Sequence, residues 1–428
     1  MSEGKALRFW SSADSGNASR AGADSVLVDG DLGLFLVADG VGSHEASAEA
    51  SGLAVQTFRQ VLLAETAVID GVKNGLSPRA REDLLRLMEK ALQQACAAVF
   101  ARAEAEPSKR GAGTTLDALL VVGSRGYLAH VGNSRVYLVR EGSVHQLTED
   151  HLLINELLKR GRLTQRQAEK LEYKNVVTRA VGFHQSVEAD TFDLDLLPGD
   201  RLLMCTDALS GHLEPSDIRK TFEEGPSDQV AQLFINAVRQ RGGADHVSAI
   251  VLEAPEEAGP DPLAREVNLK LEVLHKMPVF RYLTYQELVR VMGFTESKCF
   301  GPDEVIVKEG DDGEELYIVL SGEVRVHSGD NEIVVLGAGQ HFGEMALIDR
   351  APRSASVTSI LESKLIVLRR KQFFDIVRED HDVAVKLLWS FLGVLAKRLR
   401  STSKELGDAR GRLSMEEVDP LVSEAVQD

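Results

Sequence analysis

A chain of 428 residues with 43% apolar content is too long for one ordinary core and divides into two or three domains of about 100–200 residues each. Its formal net charge of −17 repels nucleic acid, no apolar run approaches the roughly 18 residues of a membrane helix, and the opening MSEGKALRFW has no apolar core of a signal peptide. Cys96, Cys205 and Cys299 lie far apart in apolar or strand-like contexts, so they read as reduced core thiols of a cytoplasmic protein and not as a disulfide framework or zinc site.

The first block, residues 1–253, alternates short apolar runs with longer helical patterns. Strands are predicted at Ser25–Val28, Leu34–Ala38, Leu116–Val122, Tyr127–Val131, Val136–Val139 and Val247–Leu252. Helices are predicted over Glu45–Glu65 and Pro78–Glu104, where Leu84, Leu87, Ala91, Ala95 and Val99 recur three and four residues apart. The run APEEAGPDP at 254–262 has no apolar period and reads as a linker. A second block, 263–405, opens with a helix over Leu263–His275 and continues as short strands broken by glycine, the pattern of a small antiparallel roll. A helix over Asp380–Ser403 follows, with Val385, Leu388, Leu392, Leu395 and Leu399 spaced 3-4-3-4. That seam suits pairing with a second copy or packing on its own roll. The basic stretch at 397–404 reads as a solvated face, and the acidic tail 406–428 as loosely ordered. The fold class is α+β.

Three acids stand at strand ends in the first block. FLVADG closes an apolar run at Asp39, LLMCTDA closes another at Asp207, and DHVSAIVL opens a third at Asp245. If the third strand runs antiparallel to the others, all three carboxylates share one edge. Clustered carboxylates repel unless a cation separates them, and hard ions such as Mg²⁺ or Mn²⁺ take oxygen ligands. A pair of such ions can activate a water and clamp the oxygens of a phosphate.

The ordered set DSGNASR (14–20), VADGVGSH (37–44), GAGTT (111–115), HVGNSRVY (130–137), LTEDH (147–151), NVVTRAVG (175–182), PGDRLLMCTDAL (198–209) and DHVS (245–248) resembles the metal-dependent serine/threonine phosphatases of type 2C, the PPM family, in their bacterial form. The resemblance spans nearly all of residues 8–252. It implies a β-sandwich of two antiparallel sheets flanked by helices, with a two-metal centre at one edge. It further implies that Asp39 bridges both ions, the Gly40 carbonyl ligates one, and Asp207 and Asp245 ligate the other. Asp24 would reach an ion through water, Arg20 would bind the substrate phosphate, and His151–Lys174 would form a flap. Departures fall at Ala23, where a side chain with an amide or carboxylate is usual, and at Asn133, where bacterial members carry the aspartate of a third, weaker metal. Ala208 and His246 also depart from the pattern. His44 reads as a loop-ordering histidine before it reads as a general acid.

Phe342–Val357 reads FGEMALIDRAPRSASV. Gly343 and the turn after it free backbone N–H groups for an anion. Arg353 supplies a forked cationic donor, Glu344 an acceptor for a ribose hydroxyl, and Ser354 a further donor. The run resembles the phosphate-binding cassette of cyclic-nucleotide-binding domains, with Gly343, Glu344, Arg353 and Ala355 on the family's positions. By that resemblance the second block is a β-roll with flanking helices that binds cyclic nucleotide, with cAMP favoured over cGMP.

Together these readings give a phosphoserine/phosphothreonine protein phosphatase regulated by cyclic nucleotide and acting on phosphoproteins, with the 380–403 helix able either to pair two copies as a homodimer or to pack on its own roll. The alternative is a catalytically degenerate, phosphatase-like scaffold that serves as a nucleotide sensor. A DNA-binding regulator is excluded, because only a short acidic tail follows the long helix.

Overall fold

A computed structural model describes residues 7–15, 23–42, 44–74, 79–159, 162–163, 165–168, 175–255, 262–349, 351–379, 383–393, 396 and 400. Arg20, the tail 406–428 and most of the 254–262 linker therefore lie outside the described residues. The chain forms two compact units, Met1–Arg265 and Glu266–Asp428. No helix among the described residues is long and apolar enough to cross a membrane.

The first unit holds two antiparallel sheets. One runs in the order Arg8–Asp14, Val247–Glu253, Arg201–Cys205, Arg135–Arg140, Ser143–Gln146. The other runs Asp24–Asp29, Leu34–Val41, Leu116–Val122, Arg125–Val131, Asp190–Asp195, with the short Gly113–Thr114 strand beside Leu34–Val41. Leu34, Phe35, Leu36, Val37 and Ala38 are all fully buried, because this strand is covered on both faces. Leu34, Leu36 and Ala38 join the core made with helices His44–Ala64 and Ala80–Ala105. Phe35 points the other way and meets Phe9 of the Arg8–Asp14 sheet edge-on at 5.3 Å. Alternating residues thus serve two cores, which is why the run is apolar throughout. Helices Pro215–Glu224 and Val230–Gln240 cover the outer face of the Arg8–Asp14 sheet through Ile218, Phe222, Phe234, Ile235 and Val238.

The second unit repeats this logic in a roll. Its sheets run Glu296–Phe300, Ser363–Arg369, Glu315–Ser321, His341–Phe342 and Val305–Val307, Ser356–Ser359, Val324–Ser328, Asn331–Leu336. Leu316, Ile318 and Leu320 pack on the helices, while Tyr317 and Val319 pack with Val324, Phe342 and Val357. Thr284 and Glu287 form a reciprocal cap on helix Tyr285–Gly293, and Glu287 also receives Lys386 Nζ at 2.8 Å from the last helix.

One expectation is corrected and one open choice is narrowed. Cys299 is exposed on the Glu296–Phe300 strand, which alternates faces at a sheet edge; only Cys96 and Cys205 are buried thiols. In helix 383–393, the stripe that packs on the roll is Val383, Leu387 and Phe391. Val385, Leu388 and Leu392 of the expected seam lie on the opposite side, 63%, 55% and 60% exposed, beside Trp389. The helix is apolar on two faces, so spacing alone does not tell which one is inside.

Candidate functional site

Strand register brings the first two acids together. Asp24 and Asp39 are direct cross-strand partners between Asp24–Asp29 and Leu34–Val41. Asp207 comes from the other sheet, opening the short helix Asp207–Ser210 just after Arg201–Cys205. Asp39 lies between the two: burial first, then the charges of Asp24 and Asp207, push its pKa up to about 10. Burial also raises Asp24, against hydrogen bonds that favour its ionised form. Ser248 Oγ donates to Asp24 Oδ2 at 2.8 Å, whereas Asp24 Oδ1 is buried without a hydrogen-bond partner. The acids form a row with Asp39 in the middle; among the described residues no three His, Cys, Asp or Glu side chains close into a metal cage.

The row is held from behind by backbone. Thr114 Oγ1 and Thr115 N both donate to the Asp39 carbonyl, at 2.9 and 2.8 Å, and Asp39 N donates to Thr115 Oγ1 at 2.9 Å. This gives the GAGTT run its purpose. Gly40 N donates to the Ala23 carbonyl at 3.1 Å, and a Cβ at Gly40 would collide with the Ser47 carbonyl, so only glycine lets the chains approach this closely. Asn133 Nδ2 donates to Asp207 Oδ2 at 2.8 Å. An aspartate there would add a fourth negative charge; the amide supplies a donor.

Asp245 sits at the same sheet edge, just before Val247–Glu253, but is exposed and accepts from the His246 amide at 2.8 Å. His246 favours ionisation of Asp24, and its Nδ1 is buried and unpartnered. Its contribution, like those of Ser248 and Asn133, was not read from sequence. The His44 side chain lies outside the described residues.

A buried network adjoins the row. His130 Nδ1 lies 2.6 Å from Asp117 Oδ1, both fully buried, and its ring stands 4.7 Å from that of His151. His151 accepts from Gly132 N at 3.1 Å through Nδ1, so Nε2 carries the proton and faces Asp190 at 3.3 Å. The His151 backbone binds Gly132 O and Thr178 N, at 2.7 and 2.8 Å. One residue thus fixes the Gly132–Asn133 turn behind Asp207. The LTEDH motif signals it, though not its partners.

In the second unit Gly343 takes the left-handed conformation, φ 78°, between His341–Phe342 and the turn Glu344–Leu347. Glu344 is buried, Ser354 exposed and Ala355 half-buried. The Arg353 side chain is 8% exposed, and its Nη2 donates to the Glu315 carbonyl at 3.0 Å.

Comparison with known proteins bears on both units. The Protein phosphatase 2C family model matches residues 21–249, and the Cyclic nucleotide-binding domain model matches residues 297–380. The serine/threonine phosphatase stp of Listeria welshimeri is 31% identical over 221 residues, 51% of this chain and 84% of that protein. Protein phosphatase PhpP of Streptococcus pneumoniae is 32% identical over 225 residues, 52% of this chain and 87% of that protein. The crystal structure of the Mycobacterium tuberculosis serine/threonine phosphatase PstP/Ppp, at 29% identity, aligns with a TM-score of 0.50 over 59% of this chain and 99% of that one.

The His151 contact is testable by pH. Burial is the largest influence on its pKa, which lies below the ordinary 6.5, so the native imidazole is neutral. Below that value the unfolded chain takes up a proton that the native chain refuses, and the residue's contribution falls. His151→Leu is expected to cost about 1–3 kcal/mol in urea unfolding at pH 7.5, by orphaning the Gly132 N–H. The gap from wild type should narrow at pH 5.5. A gap independent of pH would contradict this.

Proposed function

The chain belongs to the protein phosphatase 2C family, as a protein serine/threonine phosphatase with a cyclic nucleotide-binding domain, and from that premise we propose that Asp24, Asp39 and Asp207 hold its divalent cations and that cyclic nucleotide at Arg353 regulates its activity. The observation that carries the first part is the charge imbalance at Asp39: three interacting acids, two of them with raised pKa values, and an orphaned oxygen on Asp24. Such a donor set suits a hard, oxygen-seeking ion better than a proton. When bound, Mn²⁺ or Mg²⁺ supplies charge neutralisation and polarisation of water and phosphate oxygens for phosphomonoester hydrolysis.

The protein's own groups then have assignable tasks. Ser248 orients Asp24, Thr114 and Thr115 fix Asp39, and Asn133 turns Asp207. The Gly40 carbonyl is a further proposed ligand. Asp245 becomes one by giving up its hydrogen bond to the His246 amide. Arg20 is proposed, on the family resemblance, to receive the phosphate of phosphoserine or phosphothreonine proteins. Loss of the aspartate at position 133 removes a third-metal ligand and leaves Asp24, Asp39 and Asp207 in place. The buried free thiols Cys96 and Cys205 accord with a cytoplasmic setting.

In the second unit Gly343, Glu344, Arg353, Ser354 and Ala355 are the proposed nucleotide contacts, with cAMP the favoured ligand. Nucleotide can shift phosphatase activity only by its differential affinity for two states. The exposed stripe Val385, Leu388, Trp389 and Leu392 is the face we propose for pairing two copies.

Asp39→Asn is expected to lower manganese-dependent hydrolysis of a phosphopeptide by about two orders of magnitude or more. It should also raise the melting temperature of the metal-free protein, by roughly 2–4 °C for each kcal/mol of repulsion relieved. Retained activity would sink the assignment. Arg353→Ala should weaken cAMP binding by about 1.5–3 kcal/mol, roughly 10–150-fold, in calorimetry; unchanged affinity would remove the nucleotide site. Leu388→Asp combined with Leu392→Asp should convert a dimer to a monomer in sedimentation velocity, and a wild type that sediments as a monomer would refute the pairing.

A further inference from the structure

We propose that Arg239 is a positioning residue of the metal centre: its guanidinium grips the main chain at Gly243 and Asp245 and ties it to the strand end at Asp14. The inference rests on reading Asp245 as a ligand of the divalent cation. Arg239 itself lies in none of the motifs that carry the family resemblance.

Asp245 differs from the other proposed ligands in how it is held. Asp39 sits within a strand and Asp207 opens a helix, whereas Asp245 is exposed in the turn between helix Val230–Gln240 and strand Val247–Glu253. The helix stops at Gly242, whose φ is +86°. Gly242 N donates to the Arg239 carbonyl at 3.1 Å, and Gly243 N donates to the Val238 carbonyl at 3.0 Å. This pair of bonds ends the helix sharply and leaves only Ala244 between Gly243 and Asp245. A short exposed turn has few contacts of its own, so the direction of Asp245 depends on what ties the turn down.

Arg239 is that tie. Its Nη1 donates to the Gly243 carbonyl at 2.7 Å and to the Asp245 carbonyl at 2.8 Å. On the other edge of the guanidinium, Nε donates to Asp14 Oδ2 at 2.9 Å and Nη2 to the Asp14 carbonyl at 3.2 Å. Asp14 ends strand Arg8–Asp14 and stands opposite Val247 in register. One planar fork thus joins a helix end, a strand end and the ligand turn. The point of attachment matters. A cation paired with the Asp245 carboxylate would compete with the metal for it, and Arg239 instead holds the carbonyl of that residue. The carboxylate accepts from the His246 amide and can turn to an ion by side-chain rotation, with no loop left to order. Asp14 offsets the positive charge that Arg239 would otherwise bring to a cation site.

The test is calorimetric titration of the metal-free full-length chain with Mn²⁺, run beside the Mn²⁺ dependence of phosphopeptide hydrolysis. Wild type is compared with Arg239→Met, Arg239→Lys, Asp245→Asn and the variant carrying both Arg239→Met and Asp245→Asn. Arg239→Met keeps an unbranched stem that suits a helix and removes every donor. Its Mn²⁺ affinity should fall about tenfold or more. The Mn²⁺ concentration for half-maximal hydrolysis should rise in step, while hydrolysis at saturating Mn²⁺ changes less. Arg239→Lys keeps the cation but cannot span the four acceptors, so it should fall between the two. The double variant should bind within about twofold of Asp245→Asn alone, because the arginine acts through the aspartate. Wild-type Mn²⁺ affinity in both arginine variants, at whatever melting temperature, would reduce Arg239 to a structural tie and overturn the proposal; so would losses that multiply. If Asp245→Asn binds Mn²⁺ like wild type, Asp245 is no ligand, and the reading beneath the proposal fails with it.

Discussion

Three aspartates that cannot all be ionised in comfort set the terms for the first unit. Asp39 is buried between Asp24 and Asp207, and burial and both neighbours add to the cost of ionising it. The surroundings are arranged to keep the acids there. Register places Asp24 opposite Asp39, a clamp of two threonines holds the Asp39 backbone, and Asn133 and Ser248 each donate to one neighbour. Folding stability is spent on holding negative charge together, as expected of a site whose counter-charge comes from a ligand.

The second unit shows the opposite sign of the same principle. A nearly buried guanidinium is stacked near Tyr317 and tied to Glu315, with its remaining donors beside the left-handed turn at Gly343. On the proposed reading one unit keeps a place for cations and the other presents a cation to an anion, so that output and input would be built from the same electrostatics.

Much of this was legible in the residues. Apolar runs ending in aspartate located Asp39 and Asp207, because a strand covered on both faces is apolar until it reaches the edge. The Gly-Glu and Arg-Ser-Ala steps located the cassette for a similar reason: local spacing encodes local geometry. What stayed hidden was set by long-range contact. Asn133 looked like a lost ligand and is the hydrogen-bond donor to Asp207. The last helix carries apolar residues on two faces, so its spacing supported both packing choices until burial selected Val383, Leu387 and Phe391. The edge strand Arg8–Asp14, which mixes exposed and half-buried positions, had too weak a pattern to be read.

The most direct test of the carboxylate row is calorimetric titration of the metal-free chain with Mn²⁺ at pH 7, in two buffers of different ionisation enthalpy. A row that holds a proton until a cation displaces it should bind Mn²⁺ with net proton release, seen as a difference in apparent enthalpy between the buffers. Binding with no proton release, or no binding at all, would contradict the account.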